Sequence, residues 1–362
     1  MAYNLPSMTV TVRSFAKINL GLRIGTARAD GFHDLLTVYQ TIALHDVLRV
    51  TVGRGTGIEI QCADPRVPCD ESNTCFRIVE KAMQMLGAKG RVVINIEKRL
   101  PVQGGLGGAS ANAVSALLGL ERALKKSLSA TERLRIAKEV GSDLPLFLIG
   151  GTVLGVGRGE QVFPLEDLPA LPCVVVTPEV GVSTPKAFAD WDRLCGAGTP
   201  FDKLRAGSAR EAVPQPRASK GRHPHPGLAH PTPKLTLPQP SDRMIELGRA
   251  YSAWLSEPYS GAPFGRGRAE NPLLELVRAG IKNDFEEVVF PEYPELCEGK
   301  RALDLAGAKY ASLSGSGSTL YGLFATRQAA VKAVARLRKQ GWKAEATTTL
   351  TRSQYWRQIF DC

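Results

Sequence analysis

From Met8 to Leu22 the apolar residues Val10, Val12, Phe15, Ile18 and Leu20 recur at close to every second position, and a period near two predicts a β-strand. Further strands are expected at 38–52 and 58–62, with Asp46 and Gly53-Arg-Gly-Thr-Gly57 supplying the turns. From Thr74 to Leu86 the rhythm changes: Cys75, Ile78, Val79, Ala82 and Leu86 fall at helical spacing. A β-rich run, Arg91 to Ile96, leads into a glycine-rich loop at 104–108. Helical character resumes at Ser110, with Val114, Leu117, Leu118 and Leu124 on one face and Lys125-Lys126 at the negative end of the dipole. Ser129 and Glu132 form a capping box for a helix ending at Gly141. Strands follow at 145–156 and 173–177. Later, helices are expected near 271–285, 300–307 and 327–340, and strands at 319–324 and 343–349. Strand runs mixed with long helices, without regular βαβ alternation, indicate an α+β fold.

Residues 199–240 break this pattern. They hold nine of the 24 prolines and three of the five histidines, with no apolar periodicity, and read as a low-complexity insertion that cannot bury a core. His223, His225 and His230 lack nearby carboxylates, and prolines flank His225, so solvated low complexity outweighs a metal site. The segment also accounts for much of the charge. Its seven Lys/Arg against two Asp/Glu leave +6 of the net +11 for the rest of the 362 residues. No aromatic-interleaved basic stripe appears, which argues against a nucleic-acid partner.

Seven scattered cysteines without C-x-x-C spacing fit reduced cytosolic thiols better than a disulfide framework or a zinc site. The opening residues show no signal peptide, and the longest apolar stretch, Leu144 to Gly157, is too short and glycine-rich to span a bilayer. A cytoplasmic protein without membrane attachment is expected.

The stretch Pro101-Val102-Gln103-Gly104-Gly105-Leu106-Gly107-Gly108-Ala109-Ser110-Ala111-Asn112 carries the chemistry. Four glycines in five positions free the backbone to turn its N–H groups toward one point, and a helix begins directly afterwards. Loop and dipole together suit a triphosphate. The spacing is neither G-x-x-x-x-G-K-[ST] nor G-x-G-x-x-G.

This stretch resembles the second motif of the GHMP kinases. Ser14-Phe-Ala-Lys17-Ile-Asn19-Leu-Gly-Leu22 is similar to their first motif, and Leu313-Ser-Gly315-Ser316-Gly317-Ser-Thr319 to their glycine-rich third. Arg28-Ala-Asp30-Gly31-Phe32-His33 resembles the R-x-D-G-[YF]-H signature of one branch, whose substrate carries a cytidine diphosphate group. Gly141-Ser-Asp143-Leu-Pro145-Leu-Phe147, Gly157-Arg-Gly159-Glu160, Asn271-Pro and Asn283-Asp284-Phe285-Glu286 continue the likeness, which covers about 10–195 and 270–350.

The resemblance implies a ribosomal-protein-S5-like N-terminal domain over 8–165 and a ferredoxin-like C-terminal domain over 166–352, interrupted by the insertion. It implies Mg-ATP-dependent phosphorylation of the 2-hydroxyl of a cytidyl methylerythritol. Lys17 and Asp143 would be the catalytic pair, with ATP held by 101–111 and Asn73. The substrate would be held by Asn19, Phe32, His33 and Phe188, and Ser110 would be a candidate ligand for Mg²⁺. Plain readings stand beside these: a snorkelling Lys17, Asp143 and Asn73 as caps, Phe32 and Phe188 as core aromatics. Two positions depart from the branch. Phe32 stands where tyrosine is common, and Ala111 where serine is frequent. A GHMP kinase for another small alcohol and a non-catalytic nucleotide-binding regulator are the alternatives; oligomeric state is not legible.

Overall fold

The structure, a computed structural model, describes residues 7–196 and 282–360. The expected insertion at 199–240 and most of the helix expected near 271–285 lie outside the described residues.

Two long strands make the frame. β1 (Met8–Ala27) and β2 (His33–Gly53) pair antiparallel along nearly their full length. β2 then pairs through its C-terminal half with β4 (Arg91–Glu97) and through its N-terminal half with β5 (Thr152–Gly157). β3 (Ile58–Cys62) adds to β4 in parallel and β6 (Gln161–Pro164) to β5, giving six strands. Helices α1 (Thr74–Met85), α2 (Gly108–Leu124) and α3 (Ala130–Val140) cover this sheet, their apolar faces meeting Val10, Val12, Leu48 and Ile94 in one core. The capping box read from Ser129 and Glu132 is present at the start of α3.

A register shift precedes the functional stretch of β1. Phe15 stands opposite His45, but Ala16 stands opposite Ile42, so β2 bulges between them. Before the bulge Val10, Val12 and Phe15 enter the helix-covered core. After it the even positions Ala16, Ile18 and Leu20 enter a second core, shared with Val175, Tyr321 and Leu323. Strand alternation therefore leaves Lys17 and Asn19 on the side opposite that second core.

The second sheet contains β7 (Pro172–Val176), β8 (Tyr310–Leu313), β9 (Leu320–Leu323) and β10 (Ala344–Thr348) in the order β10-β7-β9-β8, all antiparallel. This fourth-first-third-second order is the ferredoxin-like arrangement. Helices α5 (Thr184–Gly196), α6 (Glu286–Glu292), α7 (Pro294–Leu305) and α8 (Arg327–Lys339) contribute to its own core around Val174, Leu296 and Leu337. The chain then returns to the first sheet. Helix α9 (Arg352–Gln358) puts Tyr355 and Ile359 into the first core, and Arg13 N–H donates to the Ile359 carbonyl at 2.8 Å.

Three expectations are corrected. Leu144–Phe147, read as the start of a strand over 145–156, forms the short helix α4, and β5 begins only at Thr152. All four α4 residues are buried, Pro145 sits in its first turn, and Gly150 and Gly151 (φ +70° and +71°) separate it from β5. Of the helix expected near 271–285, the described end is a bridge and a turn, and α6 begins at Glu286. Asp46 is no turn residue: it lies inside β2, opposite Ser14. No helix among the described residues is long and apolar enough to cross a membrane, and the described cysteines form no disulfide.

The return of α9 depends on Gly150. A Cβ there would stand 2.3 Å from Tyr355 Cδ1, and the φ of +70° is one that side chains resist. Gly150→Ala is expected to cost about 2 kcal/mol or more through strain and overpacking. A thermal midpoint unchanged within a degree would show that α9 is not held there.

Candidate active site

The glycine loop is shaped by contact with another glycine loop. Gly105 and Gly107 take φ of +79° and +70°, and Gly107 opens α2 without a side-chain cap. Thr319 N–H donates to the Gly104 carbonyl at 3.2 Å, and the Ser314 hydroxyl donates to the Gly105 carbonyl at 3.0 Å. A Cβ on Gly105 would meet the Ser314 carbonyl oxygen at 2.1 Å, and one on Gly317 would meet Gly105 N at 2.4 Å. The segment around Gly315, Ser316 and Gly317 is thus a wall against which the first loop is pressed, and Ser316 is itself tied to Thr184 at the start of α5. The first N–H groups of α2 have no partner within the helix, so they face outward as anion donors.

A cavity of about 360 Å³ opens over this loop, lined by 101–110 together with Asn73 and Asn112. A larger groove of about 900 Å³ lies beside it and includes Arg99, Arg338 and Lys343. Neither space is lined by Lys17 or Asp143; the smaller one is joined to them through its own wall, since Lys17 packs against Gly107 and its N–H donates to the Leu106 carbonyl. Asn112 Oδ1, buried and without a hydrogen bond, is an unused acceptor on its wall. Asn73 is the N-cap of α1: its Oδ1 accepts from Cys75 N–H at 2.8 Å and its Nδ2 donates to the Pro68 carbonyl at 2.6 Å. The capping role is therefore real, and it fixes Asn73 in the cavity wall.

Asp46 anchors the loop from below. It is fully buried and accepts from Lys98 Nζ at 2.8 Å, from Arg99 and Leu100 N–H at 2.7 Å each, and from Asn112 Nδ2 at 3.0 Å. One carboxylate thus holds both the strand leading into the glycines and the helix leaving them. Sequence reading missed it because an aspartate next to a histidine looks like turn punctuation; an acid within an otherwise apolar strand was the available signal.

Lys17 and Asp143, 126 positions apart, meet here. Lys17 Nζ lies 3.4 Å from Asp143 Oδ2 and donates to Asn19 Oδ1 at 2.7 Å. Asn19 in turn donates to Thr37, and Thr37 to the Gly21 carbonyl, closing a buried chain on β1 and β2. Lys17 N–H donates to the Leu106 carbonyl, so the same residue that carries the ammonium holds the glycine loop. Asp143 stands before α4 but makes no capping bond; its carboxylate is one-third exposed. Tyr39 donates to Asp143 Oδ1 at 3.2 Å, and burial first, then the Asp143 charge, pushes the phenol well above its ordinary range. It stays a donor at any working pH.

The remaining expected substrate residues cluster at the far end of β1. Arg28 binds Asp30 and Asp34, Asp30 accepts Phe32 N–H, and Gly31 takes φ +81°. That is a self-contained turn, and it presents Phe32 half-exposed with the Arg158 guanidinium 4.8 Å above its ring. The Phe32 N–H and Arg28 together hold the Asp30 carboxyl below its usual range. His33 lies flat on Phe188 (4.8 Å, 11°) and its Nε2 is 2.6 Å from Asp192 on α5. Phe188 meets Phe285 edge-on and is only partly buried. From 283–286 each polar side chain braces a different part. Asn283 donates to the Leu313 and Gly315 carbonyls, Asp284 accepts from Ile24 N–H and Arg23, and Glu286 accepts from Leu313 N–H and Ser312.

Known families and structures match this arrangement. The family "GHMP kinases N terminal domain" matches residues 73–151 and "GHMP kinases C terminal" matches 269–343. The chain is 33% identical over 323 residues to the 4-diphosphocytidyl-2-C-methyl-D-erythritol kinase of Solibacter usitatus, covering 89% of this chain and 84% of that protein. It is 29% identical over 341 residues to the enzyme of the same name from Geobacter sulfurreducens, covering 94% and 99%. A crystal structure of 4-(cytidine 5'-diphospho)-2C-methyl-D-erythritol kinase superposes with TM-score 0.64 at 27% identity, over 94% of this chain and 98% of that one. Homoserine kinase from Cytophaga hutchinsonii shares the fold, with TM-score 0.60 at 18% identity over 95% of each chain.

The Asp46 anchor makes a direct prediction. Asp46→Ala leaves a buried ammonium, the buried Leu100 N–H and the buried Asn112 amide without their acceptor, which should cost about 3–5 kcal/mol. Urea unfolding at constant m-value measures it, and a loss under about 1 kcal/mol would mean that the loop reorganises around Lys98 instead.

Proposed function

The chain belongs to the 4-diphosphocytidyl-2-C-methyl-D-erythritol kinases of the GHMP superfamily, and on that premise we propose how its residues divide the reaction. ATP gives its γ-phosphoryl group to the 2-hydroxyl of 4-(cytidine 5'-diphospho)-2-C-methyl-D-erythritol, a step of the non-mevalonate isoprenoid precursor pathway. The observation that carries the reading is the meeting of a buried ammonium and an uncapped carboxylate, 3.4 Å apart, beside the glycine cradle.

Asp143 accepts the proton of the attacking hydroxyl, and Lys17 keeps that carboxylate ionised while balancing charge on the group in flight. The N–H groups of 104–110 hold the triphosphate, and Asn73 and Asn112 border the nucleotide. Phosphoryl transfer of this kind uses Mg²⁺ to neutralise the β- and γ-phosphate oxygens. The donor set fits an ion carried in with ATP. Among the described residues no three His, Cys, Asp or Glu cluster as a cage, and the Ser110 hydroxyl, in the first turn of α2, has no hydrogen-bond partner. Ser110 would be its protein ligand.

The cytidine end binds at Phe32, His33 and Phe188, with Asn19 nearer the reacting hydroxyl. Phe32 offers an open face for stacking, and Phe188 backs the imidazole that reads the polar edge of the base.

Coupled ADP release with the cytidyl substrate tests the whole reading; turnover with homoserine or mevalonate instead would overturn it. Asp143→Asn and Lys17→Ala should each lose at least about a hundredfold in kcat while ATP still binds. Comparable kcat in either variant removes the pair from the chemistry. A uridyl analogue mismatches one buried edge group and should lose about five- to a hundredfold in kcat/KM. His33→Ala should shrink that discrimination, whereas Phe188→Ala should weaken both analogues together.

A further inference from the structure

Asp143 needs something to aim it. Its carboxylate makes no capping bond to α4, and Lys17 stands 3.4 Å away while spending its short hydrogen bond, 2.7 Å, on Asn19. Among the described residues the one side chain that donates a hydrogen bond to this carboxylate is Tyr39, whose hydroxyl meets Oδ1 at 3.2 Å.

The protein makes room for that phenol at two points. Tyr39 lies in β2 between Asn19 on β1 and Val153 on β5, and is 2% exposed. A Cβ on Gly155 would stand 2.5 Å from its ring, and one on Gly159 would stand 2.4 Å from its hydroxyl. Two glycines therefore form a slot whose depth fixes where the hydroxyl can be. The ring also lies under the Lys17 ammonium, with Nζ 5.4 Å from its centroid, so one side chain touches both members of the pair.

We propose that Tyr39 is a positioning residue for phosphoryl transfer: by occupying Oδ1 it turns Asp143 so that Oδ2, beside Lys17, is the oxygen that receives the proton. The inference rests on the reading of Asp143 as the base. In the step itself the 2-hydroxyl oxygen bonds to the γ-phosphorus and its proton passes to Oδ2. The bond from the γ-phosphorus to the bridging oxygen breaks, and ADP leaves with that electron pair. Tyr39 keeps its proton throughout, as its burial requires. A carboxylate free to rotate would present either oxygen, or neither, to the incoming hydroxyl, and fixing it beforehand belongs to the orientation part of the rate. The effect therefore falls on kcat and leaves substrate binding alone.

Tyr39→Phe keeps the ring, its packing and its place under Lys17 while removing only the hydroxyl. Expected is a fall in kcat of about ten- to a hundredfold, the worth of one hydrogen bond to a charged group, with KM for ATP and for the cytidyl substrate within about twofold. The thermal midpoint should move little, because Asp143 is open enough for water to replace the phenol. Gly159→Ala, which drives the hydroxyl away from Oδ1, should reproduce the same loss in kcat. In an Asp143→Asn background, single-turnover rates with and without Tyr39→Phe should agree within about twofold, since the phenol acts through the carboxylate. Unchanged kcat in Tyr39→Phe overturns the proposal, and so does an undiminished effect in the Asp143→Asn background. If the wild-type chain releases no ADP with the cytidyl substrate, or Asp143→Asn retains full turnover, the assignment of the reaction or of its base has failed first, and the two failures are told apart.

Discussion

A lysine ammonium that is 4% exposed needs oxygen around it, and most of the site can be understood as the supply of that oxygen. Asn19 provides a short bond from the same strand, Asp143 provides the counter-charge from across the chain, and the Tyr39 ring covers one side. Leaving any of these out would strand a charge in a low-dielectric place, which is far more expensive than the pairs are individually worth. Asp143 must then be delivered to within a few ångströms of β1. Helix α4 does this, pinned by the Tyr355 hydroxyl on the Phe147 carbonyl and by Trp356 on that of Ile149. The geometry of the Lys17–Asp143 pair is thus a by-product of satisfying one cation.

The second constraint is steric. Two glycine loops, one from each sheet, touch backbone to backbone, with no space for a β-carbon at Gly105 or Gly317. Hydrogen bonds from Thr319 and Ser314 hold them in that contact. Because the wall formed by 314–319 is itself held by Asn283, the shape of the glycine loop is set by residues outside the cavity that it lines. The acidic anchor at Asp46 works from the opposite side, and the two together leave the glycines little freedom despite their composition.

Much of this was legible in the chain. The capping box at Ser129, the helix from Thr74 and the α+β class follow from local pattern. The glycines announced a loop before a helix, but the loop is shaped by distant residues, and that helix, α2, is buried on nearly every side instead of along one face. The arrangement of β1 was only half legible. Alternation announces a strand, but the bulge in β2 opposite Phe15, and the change from one core to the other that follows it, leave no mark in β1 itself. The run after Asp143 was misread because a short apolar segment buried on all sides has no periodicity to separate strand from helix. Tyr39 and Asp46 went unrecognised for the same reason as each other. Each is a polar group inside an apolar strand, and its meaning lies in partners 52 to 104 residues away. Neither pairing can be inferred from spacing.

The return of α9 to the first sheet has a consequence for biosynthesis. Tyr355 and Ile359 are part of the core that Val12, Phe15 and Leu117 begin, yet they leave the ribosome about two hundred residues after β5 has been made. Until then the slot at Gly150 stands open, α4 lacks its pins, and apolar surface on the first sheet faces solvent. The first sheet cannot be finished in the order in which it is translated. The second sheet, whose strands are made in between, is complete before the first is sealed. A chain cut short just before α9 would therefore carry every motif of the site and still lack the clamp that puts Asp143 beside Lys17.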